Sequence, residues 1–417
     1  MFLQNVGYRW NSLGKVDAGA IFRASAVTSA MALRRQQVKL DGPKLLDPQL
    51  YFLDMGIGPA KYKELLATLA TYPWFGMTTP EHDSEEMGVV EWAREILENI
   101  EEHWKDRVDP YADWPQTVTS CVQFQVAFAV DAVLLPARLI TDAEALDDYI
   151  GEVDEAIDAA SSLTDLPLYA SVVIDEAVLR LAGPAKSAFI EAVVDAISAR
   201  REQLHGAYLA VAMAPPIHDR FTHPRTVGAI LRLCKLFAKA EVPVTVNYAE
   251  SLGLACLAFG AEAYGTGYAT KERRLAVGDH VKRGGGFALP KFYSKNLILD
   301  LRPEDDLERF QKGELALINS DKTPTSEPLL NALQAGTKSG AVVPWRQTKN
   351  NVTAAELHYL QLHRREGTRA ATVAAGAKWL ASAQQGWDLL VKKYNESLTC
   401  DGSHVPIWRA AFDSIAK

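Results

Sequence analysis

Residues 243–274, PVTVNYAESLGLACLAFGAEAYGTGYATKERR, constrain the fold more than any other part of this chain. Val244, Val246 and Tyr248 alternate as a strand does, and Leu252, Cys256 and Phe259 then fall at helical spacing. Gly260 stops that helix before residues 263–268 extend again. The order is strand, helix, strand, then a glycine-rich turn and a cluster of cations, which is one β/α unit of a barrel or open parallel sheet.

The same unit recurs upstream. Short apolar segments ending in polar residues or glycine are expected as strands at 50–53, 74–77, 132–135, 168–174, 207–213, 244–247 and 263–266, with an eighth in 287–298 or 314–318. Between them, 91–103, 142–161, 185–203 and 226–240 carry apolar residues three and four apart with charges between, as helices covering a sheet do. The expected fold class is α/β, a (β/α)8 TIM-like barrel over 49–304, closed by right-handed crossovers. Residues 1–48 read as an N-terminal extension or cap, and 305–352, with DKTPTSEP at its centre, as a loop-rich linker. Residues 353–417 are expected as a C-terminal helical region, with a helical hairpin over 353–394 that carries Trp379, Trp387 and Leu390 on one face.

Composition excludes several classes. A chain of 417 residues with 48% hydrophobic and 23% charged residues has the makeup of a folded globular protein. Its formal net charge of -8 argues against a surface that is basic throughout, while leaving room for a local basic face. Cys121, Cys234, Cys256 and Cys400 are far apart, so neither a disulfide framework nor a metal site is indicated, and no cofactor is called for. The start of the chain lacks a signal-peptide pattern, and no apolar run is long enough to span a bilayer; a cytoplasmic location is the expectation.

In a parallel barrel, chemistry gathers where strands end. Asp54, closing YFLD and followed by Gly56, is the first candidate for a general base or substrate-binding carboxylate, with helix capping as the alternative. Arg138, Asp175, Glu176 and the segment 218–225 (HDRFTHPR) also follow strands. So do Glu81, His82 and Asp83. Asp175 and Glu176 are neighbours that point apart in an extended strand and cannot serve one proton together. The turn Gly265, Thr266, Gly267 offers backbone amides to a phosphate, and Lys271, Arg273 and Arg274 follow it. From 271 to 295 seven cations face two acids, a pattern that fits either a phosphate contact or a solvated loop.

Three segments carry a resemblance to a known family. FLDMG at 52–56 resembles the first active-site strand of the tRNA-guanine transglycosylase superfamily, including its DNA-modifying relatives. FGAEAYGTGYATKERR at 259–274 is similar to that family's nucleophile strand, and HYLQLHRRE at 358–366 to the helix after its zinc region. The resemblance implies a barrel acting on a nucleotide or nucleic-acid base by pentosyl transfer, with Asp54 contacting the base, Glu262 as an electrostatic partner, and Lys271, Arg273 and Arg274 on phosphate. Two departures stand out: Gly265 occupies the position of the nucleophilic Asp, and 314–325 holds no cysteine for the family's zinc motif. Besides this reading, a barrel enzyme for a small phosphorylated metabolite and a non-catalytic binding or assembly subunit, using its C-terminal helices for a protein partner or self-association, both remain open.

Overall fold

A computed structural model describes residues 1–7, 13–34, 36–79, 88–181, 183–215, 220–281, 288–348, 350–367, 372–394 and 397–417. One parallel sheet runs through β1 (Phe2–Val6), β2 (Gly19–Arg23), β3 (Lys44–Asp47), β4 (Val133–Leu134), β5 (Leu139–Ile140), β6 (Leu168–Asp175), β7 (Gly206–Ala212), β8 (Val244–Val246) and β9 (Ala263–Thr266). The spatial order is β3-β2-β1-β9-β8-β7-β6-β4. Both β4 and β5 pair with β6, at Val133↔Leu168 and Leu139↔Val173, so they are successive parts of one barrel position. The sheet therefore makes a nearly closed eight-position barrel. Lys44 and Asp131 hold its two ends together, the Lys44 amide donating to Asp131 Oδ2 at 2.7 Å and the Asp131 amide to the Lys44 carbonyl at 2.9 Å.

Where the barrel begins differs from the expectation. Residues 1–48, read as a cap, contain β1, β2 and β3, and β1 closes the circle by pairing with both β2 and β9. Residues 50–53 and 74–77, expected as strands, instead fall largely in the 3-10 turns Leu50–Met55 and Pro73–Phe75. Pro48 and Pro73 stand at those entries and favour a turn over a ladder strand. The segments proposed for an eighth strand lie outside the barrel: Phe292–Ser294 (β10) and Leu299–Leu301 (β11) form a separate antiparallel hairpin, and Lys312–Ile318 is a helix.

The helices follow the sequence more closely. Val89–Glu98, Ala145–Ser161, Pro184–Ser198 and Pro224–Lys239 all form near the expected positions. Residues 305–352 are more than a linker. Lys312–Ile318 and Glu327–Gln334 pack with the β10–β11 hairpin into a second apolar core around fully buried Trp345. Within it the Thr323 hydroxyl pairs with His358 Nδ1 at 3.0 Å and Ser294 donates to Asp321 at 2.6 Å. Beyond the helices Thr353–Gly367 and Val373–Tyr394 the chain adds a third, His404–Ala416, whose Trp408 donates to the Phe221 carbonyl at 2.7 Å. Leu390 is fully buried and Trp379 donates to the Lys295 carbonyl at 2.8 Å, so this face packs on the protein's own core.

Candidate functional site

Because the strands are parallel, their C-terminal ends open on one face, and the polar residues there come from distant parts of the chain. Asp47, the last residue of β3, is 1% exposed at the centre of this face. Its Oδ2 accepts hydrogen bonds from Tyr51 at 2.8 Å, Tyr208 at 2.7 Å and Tyr248 at 3.0 Å, and its Oδ1 accepts from the Gln49 amide at 3.2 Å. Burial raises its carboxyl above the ordinary range, against the pull of those donors. Gln49 ties the cluster to β2 by accepting from the Ser25 amide at 2.7 Å while donating to Tyr248 at 2.8 Å. Asn247 donates to the Tyr208 hydroxyl.

Backbone conformation marks the same place. Gln49, Tyr248 and Glu250 have φ of 56°, 55° and 44°, in the left-handed region that residues other than glycine seldom occupy. Such conformations cluster at functional sites because surrounding contacts must hold them. Here Tyr248 is held by Asp47 and Gln49, and Glu250 by two arginines.

Those arginines line a cavity of about 450 Å³ beside the ends of β8 and β9. Arg220 Nε meets Glu250 at 2.8 Å and its Nη2 meets Asp300 at 3.2 Å; Arg273 Nη1 meets Asp300 at 2.6 Å and Glu250 at 3.3 Å. All four side chains are at least 87% buried, so the charges alternate in a square largely removed from water. Burial pushes the Asp300 carboxyl up, but Arg273 and then Arg220 pull it well below the usual range, and it stays ionised. Asp300 Oδ1 is buried with no hydrogen-bond partner among the described residues. The Arg273 guanidinium lies 4.2 Å from the Tyr359 ring centre and 5.5 Å from that of Tyr268, which also lines the cavity.

The residues expected from sequence are dispersed. Asp54 and Arg138 do come together at the barrel rim: Asp54 Oδ2 accepts from Tyr111 at 3.0 Å and from the Leu139 amide at 2.9 Å, while the Arg138 guanidinium stacks 3.8 Å from the Tyr111 ring. Arg138 pairs with Glu152 at 2.6 Å, and burial raises the Glu152 carboxyl to about 7. Gly56, with φ of 68°, ends the 3-10 turn that carries Asp54. Glu262 is exposed just before β9, and its carbonyl accepts from the N-terminal amine of Met1. It therefore lies at the opposite end of the barrel, and Asp54 and Glu262 do not share a cavity.

Gly265 sits inside β9, where a Cβ would meet Asn247 Oδ1 at 2.3 Å and Ile21 Cδ1 at 2.6 Å. Thr266 is buried with its hydroxyl 2.9 Å from that of Tyr359. At Gly267 a Cβ would lie 2.5 Å from Glu272 Oε2, and at Gly7 one would lie 1.5 Å from Glu272 Oε1. The Glu272 carboxylate thus fills the space beside the turn, accepting from the Ala269 amide at 3.0 Å, where barrels often seat a phosphate. The three cations after the turn part company. Arg273 joins the square, Arg274 pairs with both oxygens of Asp279 at 2.7 and 2.8 Å, and Lys271 lines a different cavity.

Other candidates have structural partners. Asp175 caps the helix Glu176–Arg180 by accepting from the Ala177 amide at 2.7 Å. Buried Glu176 is held by Arg180, Thr226 and the Ala214 amide, and Arg225 donates to the Arg180 carbonyl. His223 precedes the helix Pro224–Lys239. Glu81, His82, Asp83, His218, Lys282 and Arg283 lie outside the described residues. Among the described residues, no three His, Cys, Asp or Glu side chains are placed to hold a metal ion, and no helix is long and apolar enough to cross a membrane.

A parallel (β/α)8-type barrel with a charged, partly aromatic cavity at its C-terminal face is the class of architecture these observations define. In comparison with known proteins, no family model matches the chain and no curated protein matches it.

Proposed function

We propose that this barrel acts on a nucleotide or a nucleic-acid base, seating the base in the cavity formed by Arg220, Glu250, Tyr268, Arg273 and Asp300. The observation that carries this reading is Asp300, an ionised carboxylate on the cavity lining whose buried Oδ1 has no donor among the described residues. A base edge presents N–H donors beside carbonyl and ring-nitrogen acceptors, and alternating carboxylates and guanidinium groups complement both. Tyr268 offers a ring for the base to stack on, and about 450 Å³ is ample space for a base with part of its sugar.

The segments resembling the tRNA-guanine transglycosylase superfamily support the same class of ligand and suggest pentosyl transfer or N-glycosidic cleavage. Residue 265 would not supply the covalent nucleophile, because it has no side chain and Asn247 occupies the adjacent space. The cavity's carboxylates would act instead through charge, since an anion beside a breaking glycosidic bond stabilises positive charge developing on the sugar carbon. The metabolite alternative is less well supported, because Glu272 occupies the phosphate position and the cavity's arginines are already paired with acids.

Calorimetric titration with guanine and GMP, with inorganic phosphate as the comparator, tests the assignment. Guanine and GMP should bind and phosphate alone should not, and Tyr268→Ala should weaken guanine binding by roughly tenfold through lost stacking. Binding of phosphate with no binding of guanine would refute the base-binding reading.

A further inference from the structure

We propose that a second cavity on the same barrel face binds an organic oxyanion with an apolar body, its head on Lys271 Nζ and Ser25 Oγ. This cavity, of about 720 Å³, lies between the end of β2, the helices Pro59–Leu69 and Val89–Glu98, and residues 277–281. Lys271 and Ser25 both line it. Ser25 is 8% exposed, and its Oγ is buried with no hydrogen-bond partner among the described residues. Lys271 makes no side-chain hydrogen bond or ion pair among the described residues, although its carbonyl is taken by Arg23. An ammonium and a hydroxyl that are unmatched among the described residues, both on residues lining one cavity, are the two donors a carboxylate or phosphate head needs. The rest of the lining is largely apolar, with Val27, Met31, Leu65 and Val89 suited to a hydrocarbon or aryl body rather than to a sugar.

The surrounding charges favour an anion. Asp279 faces the cavity but gives both oxygens to Arg274, and Glu64 stands at the exposed edge. Glu272 is turned toward Gly7 and Gly267 with its Oε1 3.9 Å from Arg23 Nη2, so that among the described lining residues Lys271 is the cation that faces the head position. His280, on the same lining, is held neutral by burial, then by Arg23 and Lys271, which together lower it to about 3. Burial first, and Arg23 second, lower Lys271 as well. An incoming anion offsets both penalties on the lysine and so binds best where Lys271 is protonated. This site is independent of the base cavity, which lies around Arg273 and Tyr268.

Isothermal titration with octanoate, octyl phosphate and octylamine tests the proposal directly. Octanoate or octyl phosphate should bind with one site per chain, the tighter of the two identifying the head group, and octylamine should not bind. Lys271→Met should weaken the anion by about tenfold or more, the effect of losing a charge-assisted hydrogen bond, and Ser25→Ala by a smaller factor. Ala93→Trp, which fills the cavity from the helix Val89–Glu98, should abolish binding while a cooperative melt confirms folding. Affinity should fall as pH rises through the lowered lysine value. Octylamine binding as well as octanoate, or unchanged octanoate affinity in Lys271→Met, would overturn it.

Discussion

Arg273 shows how one side chain serves both stability and the site. It neutralises Asp300 and Glu250 together, and both carboxylates are nearly buried. Arg273→Leu keeps much of the packing against Tyr359 but leaves two acids sharing Arg220. Breaking a buried ion network in this way costs about 3–5 kcal/mol, which urea unfolding at pH 7 should show. The pH dependence has a definite sign. Asp300 has a folded value depressed below its unfolded value of about 3.9, so its contribution is complete above that pH and is lost as pH falls toward the folded value. The variant should therefore lose more stability at pH 7 than at pH 3. Asp47 behaves oppositely: its raised carboxyl makes it a cost that develops as pH rises above about 3.9.

At the scale of elements, β9 illustrates how a strand can be specified by what its neighbours need. Leu3 of β1 stands opposite Gly265, while Asn247, just after β8, fills the space a side chain at 265 would take. Gly265→Ala forces buried Asn247 or Ile21 to move, and overpacking of this kind costs about 1–3 kcal/mol. Gly265→Asp adds an unpaired charge. We expect Gly265→Asp, which places an acid at the position resembling the transglycosylase nucleophile, to lower the melting temperature more than Gly265→Ala and to add no base-exchange activity to that of the wild type. Paired thermal melts and a guanine-exchange assay on a tRNA substrate check both expectations.

The whole molecule depends on its first residues. β1 lies between β2 and β9, so its removal leaves two unpaired strand edges and opens the barrel. A cap over the barrel mouth would be dispensable, whereas a central stave is not. Deletion of residues 1–7 should therefore abolish the cooperative unfolding transition, measured by circular dichroism, and expose apolar surface to dyes. A truncated chain that melts like the full one would contradict this pairing. The second core around Trp345 adds another dependence, since β11 carries Asp300 from that core into the arginine square. Site and subdomain are thus joined through one short hairpin.

How much of this was legible in the sequence follows from the range of the forces involved. The strands β6 to β9 and the helices between them are written in local periodicity, because each must bury an apolar face that recurs every two or three to four residues. The first three strands escaped that reading because they carry Gln4, Asn5, Arg23, Lys44 and Asp47 in short segments, polar residues that face the centre or ends of a barrel rather than solvent. KLLD and YFLD look alike as local patterns. Only parallel pairing, with Arg23 opposite Asp47, places the first acid in the barrel and leaves the second on a rim turn. Arg273 was a candidate from its neighbourhood in sequence, but its partners Arg220, Glu250 and Asp300 are 53, 23 and 27 positions away. By itself the sequence determined a repeating β/α architecture through local burial; the composition of the site was decided by tertiary structure, because charge pairing and cavity shape depend on separations in space that local periodicity does not encode.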